Sequence, residues 1–245
     1  GRRYKPFRAS PVPNSGNFFV LCTAAERTRF IVSGSIGIDL ILRRLDSDDP
    51  LNDFERLYVE PLSEAHARRL SQDLAMSLDV VVPNELEPQL LQLLGPPVPY
   101  FIHMLFSQLA QLPSDKRHPL KLDTLEEVYN QRVLGPTCKH YFDHYRRRLA
   151  RYGKEVERAA QAVLRTVGAK DRVGSAALYN IYRSARRKGA SESEFNELMA
   201  DLECDWYLVL DVKTNEYHFL LKVMRDWWDR WYGKRGLKIA RRGES

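Results

Sequence analysis

A mainly α fold is what the sequence predicts, and three observations carry it. Apolar residues recur at helical spacing through most of 61–232. Ser, Asn, Asp or Pro stands where these stretches begin, and Gly where several of them end. Strand-like runs are few: one at 29–37, and a pair at 206–210 and 217–221 around a turn at 213–216.

The elements follow in order. Pro6, Pro11, Pro13 and Gly16 make residues 1–17 an extended arm. Arg29–Gly37 reads as a short buried strand ending in a polar Ser-Gly-Ser loop, and residues 1–28 offer it at most one partner. Ser63 caps a helix bearing Ala67, Leu70, Leu74 and Leu78. Asn84 with Glu87 starts a second, through Leu90 and Leu94 to Gly95. Pro99 opens a third, carrying Phe101, Met104, Leu105, Gln108 and Leu112. Asp123 with Glu126 caps a fourth, and a fifth covers about 137–152. Short joints make 61–152 a compact helical bundle.

Residues 153–232 read as a separate unit. Val156, Ala159, Ala160, Val163, Leu164 and Val167 mark one helix; Leu178, Ile181, Tyr182 and Ala185 mark the next. A Ser191/Glu194 capping box begins a third helix with Phe195, Leu198, Met199 and Leu202 inward, and the strand pair follows. Three helices and a two-stranded wing make a winged helix. A last helix carries Val223, Trp227 and Trp231 on one face, with Met224 and Trp228 beside it. Residues 233–245 form a basic tail.

Composition bounds the function. The 245 residues are 44% hydrophobic and 29% charged, which excludes disordered and collagenous classes. The net charge of +6 sits at the ends: Arg2, Arg3, Lys5 and Arg8 in front, and Lys234, Arg235, Lys238, Arg241 and Arg242 behind, so the body between is slightly acidic. A surface that wraps DNA is not expected. Cys22, Cys138 and Cys204 form no CxxC pair and are odd in number, so a reducing compartment and cytoplasmic location are expected. No apolar run reaches membrane-span length, and no membrane partner is expected.

Several segments resemble the AAA+/STAND-like P-loop ATPases of archaeal type, relatives of origin-recognition ATPases. The run "RFIVSGSIG" at 29–37 resembles their sensor-1 strand, with 29–34 as the strand itself. Pro61-Leu-Ser-Glu-Ala65 is similar to the start of their helical lid, and Gly95-Pro-Pro-Val-Pro-Tyr100 to their "GxP.PY" element. Phe219–Trp231 resembles the closing part of their winged helix, and Lys5–Pro13 the lead-in to their P-loop domain. The resemblance implies that 18–60 is a remnant of the α/β nucleotide-binding core, 61–152 the helical lid and 153–232 the winged helix. It implies ATP and Mg²⁺ as cofactors, nucleotide held between core and lid, and a winged helix that changes its contacts with a partner. GxxxxGK[ST] and an apolar strand ending in paired acids are both absent. The chain as given is therefore not expected to hydrolyse ATP, and the expectation is that the full protein has a nucleotide-binding core that this chain largely omits.

Site residues follow from these readings. The resemblance places Ser33 and Ser35 near the terminal phosphate, and Gly95 and Pro97 against the adenine; strand-end and helix-joint roles explain the same residues without a ligand. Only non-specific nucleic acid contact is assigned, to Arg183, Arg186, Arg187 and Lys188 and to the basic tails, because the helix that should enter a groove carries Glu192, Glu194, Glu197, Asp201 and Glu203 with no Lys or Arg. His140 and His144 have metal-ligand spacing but no third ligand, so no metal is assigned, and no catalytic residue either. Asp211-Val-Lys213 has the spacing of half a nuclease motif, which a wing turn explains better. A protein partner or self-association is expected. The rival function is a non-enzymatic winged-helix module that binds protein or DNA.

Overall fold

The computed structural model describes residues 16–21, 30–33, 54–186 and 189–233, with side chains from residue 59 onward. The arm before Gly16, Ser35, the side chain of Ser33, Arg187, Lys188 and the tail beyond Gly233 lie outside the described residues. The chain divides into two compact units, 1–60 and 61–245.

In the first unit the described strands are β1 (Gly16–Leu21), β2 (Phe30–Ser33) and β3 (Phe54–Val59), in the order β2-β1-β3. Both pairings are antiparallel, with Phe18 opposite Ser33 on one side and Leu57 on the other. The strand read at 29–37 was offered at most one partner by residues 1–28; its described part, β2, pairs with β1 running the opposite way, which needs no long crossover. β3 was not foreseen, because Glu55 and Arg56 interrupt its apolar pattern.

The second unit is mainly helical. Helix α1 (Glu64–Ser77) starts at Ser63, whose hydroxyl accepts the His66 N–H at 3.3 Å. Helix α2 (Glu87–Leu94) begins two residues later than a cap at Asn84 would set, after Leu86 and without a side-chain cap. Pro88 sets that start: deeper in a helix it would remove a bond and clash with the preceding turn. Gly95 ends α2 at φ +82°, where glycine is favoured. Helix α3 (Pro99–Leu109) buries Phe101, Ile102, Leu105 and Phe106, and stops short of Leu112. A one-turn α4 (Ser114–Arg117) precedes α5 (Leu122–Val128), where Asp123 lies in the first turn rather than at the cap. A π-turn at Tyr129–Val133 leads on towards α6 (Lys139–Arg148), which tightens into a 3-10 turn at Leu149–Tyr152.

Helix α7 (Lys154–Lys170) buries Ala159, Ala160, Val163, Leu164 and Val167, the residues its periodicity singled out. A three-residue strand β4 (Arg172–Gly174) then precedes α8 (Ser175–Arg186). Helix α9 (Glu192–Cys204) opens with the full Ser191/Glu194 capping box. Strands β5 (Leu208–Asp211) and β6 (Glu216–Phe219) complete an antiparallel sheet of order β4-β6-β5, with Tyr217 opposite both Val173 and Leu210.

Helix α10 (Lys222–Tyr232) joins the two helical groups. Trp227 stacks on Phe142 of α6 at 5.3 Å, and Phe142 on Phe101 of α3 at 5.7 Å. The adjacent Trp228 turns the other way, meeting Tyr207 and Phe219 at 6.3 and 6.1 Å. Both indoles are buried. Trp231 donates to the Leu134 carbonyl at 2.9 Å, and Tyr152 donates to the buried Asp205 at 2.6 Å. The boundary read at 152/153 is thus crossed by a shared aromatic core.

Candidate functional site

Gly95 and Pro97, for which the family resemblance implies an adenine contact, line one open groove of about 500 Å³. Leu62, Pro88 and Leu91 give it apolar walls, and Arg68 and Gln92 a polar rim. The groove is braced by the Leu62 N–H, which donates to the Pro97 carbonyl at 2.9 Å. Arg68 is held by Glu64 at 2.7 Å and lies 3.9 Å from Glu87, so two carboxylates share its charge. An apolar slot with a few polar groups suits a planar ring better than a phosphate chain.

The same groove abuts α10. A Cβ at Gly95 would lie 2.9 Å from both the backbone nitrogen and the Cβ of Lys222. Only glycine lets the α2 terminus come this close. Lys222 Nζ donates to the Leu93 carbonyl at 3.3 Å and to Asp226 at 2.6 Å. Asp226 also accepts from Tyr129 at 2.8 Å and from Arg225 at 2.8 and 3.0 Å, and Arg225 continues to Asp171. Burial pushes the Asp226 carboxyl up, but hydrogen bonds from Lys222, Arg225 and Tyr129 outweigh it and hold the group below its ordinary value. Burial first, then Asp226, raises the Tyr129 phenol, which stays protonated as a donor. The network ties the groove to both helical groups through one carboxylate.

The residues assigned to nucleic acid are placed differently. Arg183 lies over the Tyr179 ring at 5.7 Å. Arg186 is engaged inside the fold, pairing with Glu194 at 2.8 Å and donating to the Tyr182 hydroxyl. Glu194 also completes the α9 cap, so Arg186 ties α8 to the start of α9. Glu192 and Glu197 on α9 are exposed. Asp211 accepts from Arg172 at 2.9 Å and from the Lys213 N–H at 3.0 Å. The Arg172 bond comes first in lowering its pKa, and the carboxylate anchors the turn between β5 and β6. His140 and His144 lie against Tyr141 and Tyr145, with ring centres 3.8 and 4.1 Å apart. Among the described residues no group of three or more metal-capable side chains converges.

The sequence reading missed Arg68 and Lys222. The signals were present as i, i+4 pairs, Glu64/Arg68 and Lys222/Asp226, but such pairs are common on solvated helices. Among the described residues no helix is long and apolar enough to cross a membrane. No protein-family model matches the chain, and no curated protein matches it.

Proposed function

We propose that the chain is a nucleotide-responsive switch module of the AAA+/STAND-like ATPase type. An adenine nucleotide seats its base in the Leu62–Gly95–Pro97 groove, and α10 carries the state of that groove to a partner. One observation supports this above others: Gly95 lines the groove and also presses on Lys222 at the head of α10. Any ligand that shifts Gly95 must shift Lys222, because no space separates them.

The element order helix-strand-helix-helix-strand-strand, with sheet order β4-β6-β5, supports reading 153–232 as a winged helix. The acidic exposed side of α9 and the internal pairing of Arg186 favour a basic protein surface as partner over duplex DNA. ATP, when bound, supplies the phosphates that distinguish a loaded from a spent state. The groove residues take the base and ribose side. Glu64 is the one carboxylate lining the groove and is held by Arg68, so no Mg²⁺ ligand is assigned there.

Thermal unfolding of the full chain with and without ATP or ADP tests the proposal. Nucleotide at about a hundred times its Kd stabilises by about 2.7 kcal/mol, a rise in Tm of roughly 5–10 °C for a chain of this size. Gly95→Val should lose that rise. No shift with either nucleotide at millimolar concentration sinks the proposal and leaves the non-enzymatic winged-helix module.

A further inference from the structure

A second surface, which shares no lining residue with the Gly95 groove, combines charge and aromatic rings. His140, His144, Arg147 and Arg151 follow one another at spacings of four, three and four along α6 and its 3-10 extension. In α6 that spacing puts His140, His144 and Arg147 on one face, and Arg151 follows in the 3-10 turn. Arg147 and Arg151 are exposed and have no ion pair among the described residues. Asp143, the acid of α6, is taken by Lys139 at 2.7 Å. Burial, followed by the Arg148 charge and, more weakly, Arg147, lowers the His144 pKa against a bond from the Tyr141 backbone, so this face is positive even with neutral imidazoles.

The same helix also borders a pocket of about 210 Å³ between α3 and α6, lined by Tyr100, His103, Met104, Ser107, Gln108 and Tyr141. Tyr100 and Tyr141 are 43% and 41% exposed, an unusual pair of open phenol rings, set edge to face at 6.3 Å. Gln108 is only 5% exposed, yet its Oε1 has no hydrogen-bond partner. A buried amide oxygen without a partner carries a cost that a donor entering the pocket removes.

We infer that this surface binds single-stranded nucleic acid, with a base stacked on the exposed Tyr141 ring, Tyr100 at its edge and Gln108 below, and the following phosphates along Arg147 and Arg151. Rings for the base and cations for the backbone are the two parts such binding requires. The Gln108 amide meets the N–H or exocyclic amine of the base edge. An acidic peptide would satisfy the arginines but leave the rings and the amide unused. Duplex hides its bases from the pocket. None of these residues is among those assigned by sequence at 183–188 or in the basic tails.

Fluorescence polarisation of the full chain with labelled single strands tests the inference. The probes are an oligothymidine of about fifteen residues, an abasic strand of equal length and a glutamate-rich peptide of equal charge. The oligothymidine should bind at least about fivefold tighter than the abasic strand, the value of one stacked base. Tyr141→Ala should erase that difference and leave the abasic strand unaffected. Tyr100→Leu keeps an apolar side chain at the pocket and should act the same way if Tyr141→Ala unfolds. Arg147→Glu with Arg151→Glu should weaken both strands by about tenfold or more. Equal binding of abasic strand and oligothymidine overturns the inference. So does unchanged affinity after the double charge reversal, or peptide affinity equal to that of the oligothymidine.

Discussion

Tyr129 and Lys222 converge on one oxygen of Asp226, at 2.8 and 2.6 Å, while Arg225 holds the other oxygen. Three donors from the π-turn and α10 thus depend on one carboxylate. Asp226→Ala leaves the mostly buried Tyr129 hydroxyl unpaired and two cations facing each other. The expected loss is about 2–4 kcal/mol, measured as the urea midpoint of the full chain. Tyr129→Phe removes one donor to a charged group and should cost about 1.5–3 kcal/mol.

The same carboxylate sets an acid limit. Its folded pKa is depressed, so the unfolded chain takes up its proton first as pH falls. The stability it gives is present above the unfolded carboxyl value of about 3.9 and is lost as pH falls through the lower folded value. Melting curves from pH 6 down to pH 3 should show a smaller acid drop in Asp226→Asn than in the unaltered chain. Parallel curves would contradict the role given to this group.

Phe142 and Trp227 make the two helical groups a single cooperative unit in unfolding. Phe142→Ala should cost about 3–5 kcal/mol. Unfolding of residues 61–233 should give one transition, with tryptophan fluorescence and far-UV circular dichroism coincident. Two separated transitions would show that the groups fold independently despite the stack at 5.3 Å.

Gly95 tolerates no side chain for two separate reasons, its φ of +82° and the approach of Lys222. Gly95→Ala should therefore destabilise by about 1–3 kcal/mol. Gly153 has a similar φ of +87° but open space around it. Gly153→Ala should cost only the backbone penalty of about 1 kcal/mol. The difference between the two, by thermal melts, isolates the contact with α10.

Ser191 both caps α9 and receives Glu194, which Arg186 holds from α8. Ser191→Ala should lower stability by about 1 kcal/mol. Arg186→Ala should add to it less than additively, because both changes loosen the same glutamate.

Local signals were legible where one residue carried the whole physical cause. Ser63, Pro99 and the Ser191/Glu194 box start their helices as the sequence indicates, and the α7 periodicity is the buried face. Asn84 misled because Pro88, four residues on, fixes the helix start more strongly than a capping side chain. β4 is three residues long and exists only through β6, a partner more than forty residues downstream. Periodicity set Trp228 beside the Trp227 face of the last helix but did not show that both rings are buried against different neighbours. Gly95 and Pro97 stand close in sequence, whereas no local pattern shows that Lys222, more than a hundred residues on, packs against Gly95. The Tyr100/Tyr141 pocket was equally hidden, since α3 and α6 bring its walls together only in three dimensions.

The position of α10 in the chain has a consequence for synthesis. Translation delivers α1 to α6 first, and Phe142 emerges with its stacking face uncovered until Trp227 follows. Throughout that interval the nascent helices expose the apolar surface that α10 closes. A ribosome stalled before residue 222 therefore displays a chaperone substrate, and release of the last helix ends that status.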